Sequence, residues 1–108
     1  MTIHNLSPTK INVYDTGNLK IVDYGVMTKG SDSTVEILLE EEGQKITYAS
    51  HKICACTKVF STNEDGKIRV SIKYDTKLVG DFGKPLNYYY SLNGKQQLMS
   101  MQIKGKVK

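Results

Sequence analysis

The sequence predicts an all-β chain, an antiparallel sandwich or barrel of about seven short strands. Three observations predict it. In Lys67-Ile68-Arg69-Val70-Ser71-Ile72-Lys73-Tyr74-Asp75 every even position is apolar and every odd one polar, the period of a strand with one face in a core and one in water. Similar runs recur along the chain between clusters of Gly, Asn and Asp. No stretch carries a sustained helical period.

The chain has 108 residues and a mass of 12.1 kDa, with 39% hydrophobic and 24% charged residues. That is one domain's worth of sequence with enough apolar material for a core. At the N-terminus, Met1 to Thr9 shows no sustained alternation, and Pro8 has no N–H to give to a ladder. Residues 1–17 therefore read as an arm lying on a neighbouring subunit, or, for Ile11 to Tyr14, as a first strand; the domain proper is 18–108. Ile3, Leu6, Ile11 and Val13 are apolar residues a solvated tail would not need. They are candidate partner-binding residues, alternate side chains entering pockets beside a partner's sheet edge.

After the turn cluster Asp15-Thr16-Gly17-Asn18, Leu19 to Tyr24 reads as a strand ending at Gly25. Thr34 to Glu40 places Val35, Ile37 and Leu39 on one face and is closed by the solvated run Glu40-Glu41-Glu42-Gly43. Lys45 to Ser50 is its expected neighbour. Downstream, Leu86, Tyr88, Tyr90 and Leu92 share a face, Asn93-Gly94 has the residues a type I′ hairpin requires, and Met99, Met101, Ile103, Gly105 and Val107 return on one parity. The expected core is Val35, Ile37, Leu39, Ile46, Tyr48, Ile68, Val70, Ile72, Tyr74, Tyr88, Tyr90, Met101 and Ile103.

Chemistry-bearing residues are few. Cys54-Ala55-Cys56 follows His51, but the one-residue spacer is shorter than the usual zinc spacing, and no third cysteine exists. Nor is it the C-x-x-C of a redox helix. The cysteines are expected to be reduced, small core residues, with no metal and no cofactor. Of the two histidines, His4 lies in the arm and His51 in a strand. The paired carboxylates Glu40 to Glu42 sit in a turn where all can stay hydrated, and no phosphate-cradling glycine motif occurs. The expectation is that the chain is not an enzyme. Tyr88-Tyr89-Tyr90 beside a basic C-terminus suggests a base-stacking platform, yet parity leaves only Tyr89 facing outward, so nucleic acid is not the expected partner.

The net charge is +4. Residues 1–76 hold nine Lys/Arg against ten Asp/Glu, whereas 77–108 hold six Lys against Asp81 alone. Lys104, Lys106 and Lys108 in this basic end, with Tyr89, complete the candidate partner-binding set; the favoured alternative for the lysines is the solvent face and edge of a terminal strand. Ile37-Leu38-Leu39 is among the longest apolar runs, far short of a membrane helix, and Met1 to Pro8 lacks the basic and apolar regions of a secretory signal. The expectation is a chain without a leader or anchor, made in the cytoplasm.

Val22-Asp23-Tyr24-Gly25-Val26-Met27-Thr28-Lys29-Gly30, Ile53-Cys54-Ala55-Cys56-Thr57, and Ile72-Lys73-Tyr74-Asp75-Thr76 with Gly80-Asp81-Phe82-Gly83-Lys84 together resemble the bacterial branch of the hydin-type immunoglobulin-like domains, over residues 19–107. That branch carries an aromatic-Gly-aliphatic step, an S-C-G-C-T-like motif and a Y-D…G-x-F-x-K stretch in this order. Here Ala55 stands for the glycine between the cysteines, Tyr24 for a phenylalanine, and Asn63-Glu64-Asp65-Gly66 for a proline-glycine turn. The resemblance implies a seven-stranded immunoglobulin-like β-sandwich with a scaffolding or interaction role and no catalytic residues to carry over. Its bacterial relatives are typically exported. A domain of this type without a signal, behind a short arm, is similar in kind to the auxiliary capsid proteins that decorate tailed-phage virions. The expectation is a capsid decoration protein on the virion exterior, its partner the major capsid protein or other virion subunits. The alternative is a bacterial immunoglobulin-like adhesion or scaffold module mediating protein–protein contacts.

Overall fold

A computed structural model describes all 108 residues. Nine strands form: β1 (Thr2–Asn5), β2 (Asn12–Asp15), β3 (Lys20–Met27), β4 (Val35–Glu40), β5 (Ile46–Lys52), β6 (Thr57–Glu64), β7 (Lys67–Tyr74), β8 (Gly80–Leu92) and β9 (Lys95–Val107). They make a four-stranded sheet ordered β1-β4-β7-β6 and a five-stranded sheet ordered β2-β3-β9-β8-β5. The chain is all-β, and the number of strands corrects the expected seven. Three further corrections concern the strands. β5 pairs with β8 in the second sheet and is not the neighbour of β4, which lies between β1 and β7. β3 runs parallel to β9, so the second sheet is mixed. β3 also does not stop at Gly25 but continues through a register shift between Asp23 and Val26.

Each strand follows from its sequence pattern. β7 alternates half-buried Lys67, Arg69 and Ser71 with Ile68, Val70 and Ile72, all fully buried. Asn93 and Gly94 take φ of 52° and 76°, and Asp65 and Gly66 take 48° and 80°, the paired positive angles of tight hairpins matched to the strand twist. A single cluster of 20 buried apolar residues draws on both sheets: Val35, Ile37, Leu39 and Ile72 from the first, Val22, Leu86, Tyr88 and Ile103 from the second. Every residue of the expected core is buried except Tyr48, which packs half-buried against it.

Polar groups inside the core bridge the sheets. The Tyr24 hydroxyl on β3 donates to the Ile72 carbonyl at 3.1 Å, and the Ser61 hydroxyl on β6 lies 2.6 Å from that of Tyr88 on β8. No buried side-chain nitrogen or oxygen lacks a partner, so these hydroxyls pin the layers without an unsatisfied desolvation cost. Burial pushes the Tyr24 phenol well up and that of Tyr88 up to about 12.

Within residues 1–17, β1 and β2 pair with strands of the chain's own sheets. β1 pairs with β4, Thr2 opposite Glu40 through Asn5 opposite Ile37, and the α-ammonium group of Met1 lies 3.1 Å from Glu41. Pro8 opens a turn, closed by Lys10 and Ile11 N–H groups donating to the Ser7 carbonyl, that carries the chain from one sheet to the other. Ile11 enters the core at 3% exposure.

The expectation of reduced cysteines is also corrected: Cys54 and Cys56 form a disulfide. The chain turns there, with Thr57 N–H donating to Cys54 O at 3.2 Å. The turn brings the Cα atoms to 5.3 Å, inside the span a disulfide bridges. There is no helix long and apolar enough to cross a membrane.

Candidate interaction surface

Strand connections gather at two ends of the molecule. One end carries the hairpin turns at Asn93-Gly94 and Asp65-Gly66, and the β4–β5 turn, held together by Asn93 Nδ2 donating to Gln44 Oε1 and Ile46 N–H donating to Gly66 O. The other is built from loops 28–34, 53–56 and 75–79 and the C-terminus. Gly30 N–H donates to Thr76 O at 3.1 Å, Asp75 N–H to Cys56 O at 2.9 Å, and Lys29 N–H to Lys108 O at 2.8 Å. Sequence-distant segments thus share one hydrogen-bonded end.

Charge divides between these regions. The ion pairs lie at the hairpin end or across the middle of the sheets: Met1–Glu41, His4–Glu40, Lys20–Asp15, Lys67–Glu40, and Arg69 with both Glu36 and Glu64. In the first sheet they form cross-strand ladders, and Lys67 and His4 hold the Glu40 carboxyl below the usual carboxylate range. At the other end Lys29, Lys58, Lys73, Lys77, Lys106 and Lys108 are exposed, and none is within ion-pairing distance of a carboxylate. The side-chain carboxylates of that end are Asp32, Asp75 and Asp81. The Thr34 side chain and N–H hold the Asp32 carboxyl low, engaging it locally.

Lys58 and Lys73 stand directly opposite one another on β6 and β7. Like charges in that position repel, and no carboxylate makes an ion pair with either lysine. With Lys77, Asp75, Tyr74, Ala55 and Cys56 they line a cleft of about 290 Å³. Such an end attracts carboxylates, and its attraction weakens with salt.

The residues singled out from sequence fall in different places. Ile11 is core, and Ile3 and Val13 pack against that core, so their side chains face the chain's own interior. Leu6, 39% exposed, is the one apolar residue of the four that faces solvent. Tyr89 is half-buried on the outer face of the second sheet, opposite Leu98 on β9 and Ser50 on β5. Lys104 is exposed on that face between Asp23 and Gly83, while Lys106 and Lys108 join the lysine-rich end. Lys29, Lys58, Lys73 and Lys77 were missed, because only the strand register and loop contacts bring them to Lys108.

The histidines make separate contacts. His51 Nδ1 lies 2.7 Å from the Tyr48 hydroxyl, and His4 Nε2 3.1 Å from Glu40. No group of three or more His, Cys, Asp or Glu side chains is arranged to hold a metal ion.

No family model matches the chain, and no curated protein does. Among solved structures it is similar to the VesB protease of Vibrio cholerae, with a TM-score of 0.62 and 12% identity over 92% of this chain. The match covers 32% of that protein, so this chain spans about a third of its length. This corrects the expectation that the chain is not an enzyme, since its fold occurs within a solved protease. At that identity the likeness concerns the fold.

Proposed function

We propose that the chain is an immunoglobulin-like β-sandwich that docks on an acidic protein surface through its lysine-rich end, and that this surface belongs to the capsid shell of a tailed phage. Strand order supports the architecture. Taken in their order across each sheet, β1, β4, β7 and β6 occupy the places of strands A, B, E and D, and β5, β8 and β9 those of C, F and G, with β2 and β3 added beyond β9. The observation that carries the docking reading is the set of six exposed lysines outside every ion pair, gathered from four segments onto one end. Charge of one sign displayed without internal partners favours encounter with a surface of the other sign.

Cosedimentation with tailed-phage heads assembled from purified major capsid protein tests this reading. Binding is expected at low ionic strength, weakening at least tenfold between about 50 and 500 mM salt, and lost when Lys29, Lys106 and Lys108 are replaced together by Glu. Absence of binding at low salt, or equal binding by the triple variant, would reject it.

The match to about a third of a longer protein favours a second reading, an adhesion or scaffold module joined to other domains. The mass of the native polypeptide separates the two: a product well above 12.1 kDa supports the second.

A further inference from the structure

Each sheet has two edges, and three of the four are blunted. β1 and β2 are four residues each. β5 is broken by a register shift between Tyr48 and Ser50, and its Tyr48 N–H is taken by Asn63 Oδ1 at 2.9 Å. β6 differs: it is eight residues long, contains no proline, and keeps unbroken register with β7 from Thr57 opposite Tyr74 to Glu64 opposite Lys67. Near its middle, on the outer face, stands Phe60, 69% exposed and the most exposed large hydrophobic residue of the chain. A long regular edge with an exposed aromatic is the form natural sheets avoid unless another strand covers it.

We propose that β6 pairs antiparallel with β6 of a second copy, joining the two four-stranded sheets into one of eight strands. The geometry selects the register. Outward residues of one copy meet outward residues of the other only where paired residue numbers sum to an even value, because strand side chains alternate with period two. Centring the two-fold axis on Ser61 sets Lys58 opposite Glu64 of the second copy, twice by symmetry, each Glu64 also holding Arg69 of its own chain at 2.9 Å, and Phe60 opposite Thr62, with the two Phe60 rings on the adjoining diagonal. Centring it on Phe60 sets Lys58 opposite Thr62 and forms no charge pair. The occupant is therefore a second copy, chosen by self-complementary charge about Ser61. An edge of this size buries little surface, so the dimer is weak and depends on concentration.

Sedimentation velocity over a range from micromolar to about 1 mM tests this, beside hydrogen exchange of the β6 amides. The expected result is a monomer converting to a dimer, with β6 amides slowing as the dimer fills. Phe60→Lys is expected to weaken dimerisation at least tenfold. Lys58→Glu is expected to weaken it similarly while leaving the melting temperature of the dilute monomer unchanged or higher, since it replaces the Lys58/Lys73 repulsion with an attraction. That thermal readout separates lost pairing from lost folding. A monomer throughout the range, or a dimer that Phe60→Lys leaves intact, would overturn the proposal.

Discussion

Gly105 lacks a side chain where Phe82 needs the space: a Cβ there would lie 2.9 Å from Phe82 Cζ and 3.0 Å from Gly25 O. Phe82 in turn stacks on Tyr74 of the opposite sheet at 3.7 Å between ring centroids and meets Tyr24 at 6.1 Å. Gly105→Ala is expected to displace this stack and to lower stability by about 1–3 kcal/mol in denaturant unfolding. Tyr88 gives a pH prediction. Its phenol is raised from 10.0 to about 12 in the fold, so between those values the unfolded chain loses the proton first and folding weakens as pH rises. Melting temperatures measured from pH 9 upward are expected to fall, and to fall less steeply in Tyr88→Phe; equal slopes would remove Tyr88 as a cause. The sequence placed Tyr88, Tyr90 and Ile72 in the core by parity alone. It could not place the cysteines, because the turn at Cys54 depends on the backbone hydrogen bond from Thr57.

Elements were legible in proportion to how much core they bury. β7, β4 and the β8–β9 hairpin alternate cleanly because one whole face of each is interior. β6 escaped because among its inward positions only Thr57 and Val59 are buried, while its apolar Phe60 points outward. β1 escaped because its four residues offer Ile3 alone to the core, and its pairing with β4 is set by tertiary contact. Since β1 completes one edge of the first sheet and Met1 pairs with Glu41, removing residues 1–9 is expected to lower the melting temperature of the isolated chain by at least about 4 °C. Thermal unfolding of the truncated chain checks this, and an unchanged midpoint would show β1 to be dispensable.

Across the whole molecule, charge is organised by the fold more than by the sequence. Counting along the chain puts the basic excess in residues 77–108, but Lys29, Lys58 and Lys73 lie in the part that counts as slightly acidic. The cross-strand register and the bonds among loops 28–34, 53–56 and 75–79 bring them to Lys77, Lys106 and Lys108. No local pattern announces this, since each lysine occupies an ordinary outward position in its own segment. The partner reading rests on that end of the molecule. Lysine footprinting, in which acetylation of each amine is compared with and without bound capsid shells, tests it most directly. Lys29, Lys58, Lys73, Lys77, Lys106 and Lys108 are expected to be protected, with Lys45 and Lys95 at the hairpin end still reactive; protection of Lys45 and Lys95 alone, or of no lysine, would contradict docking through the lysine-rich end.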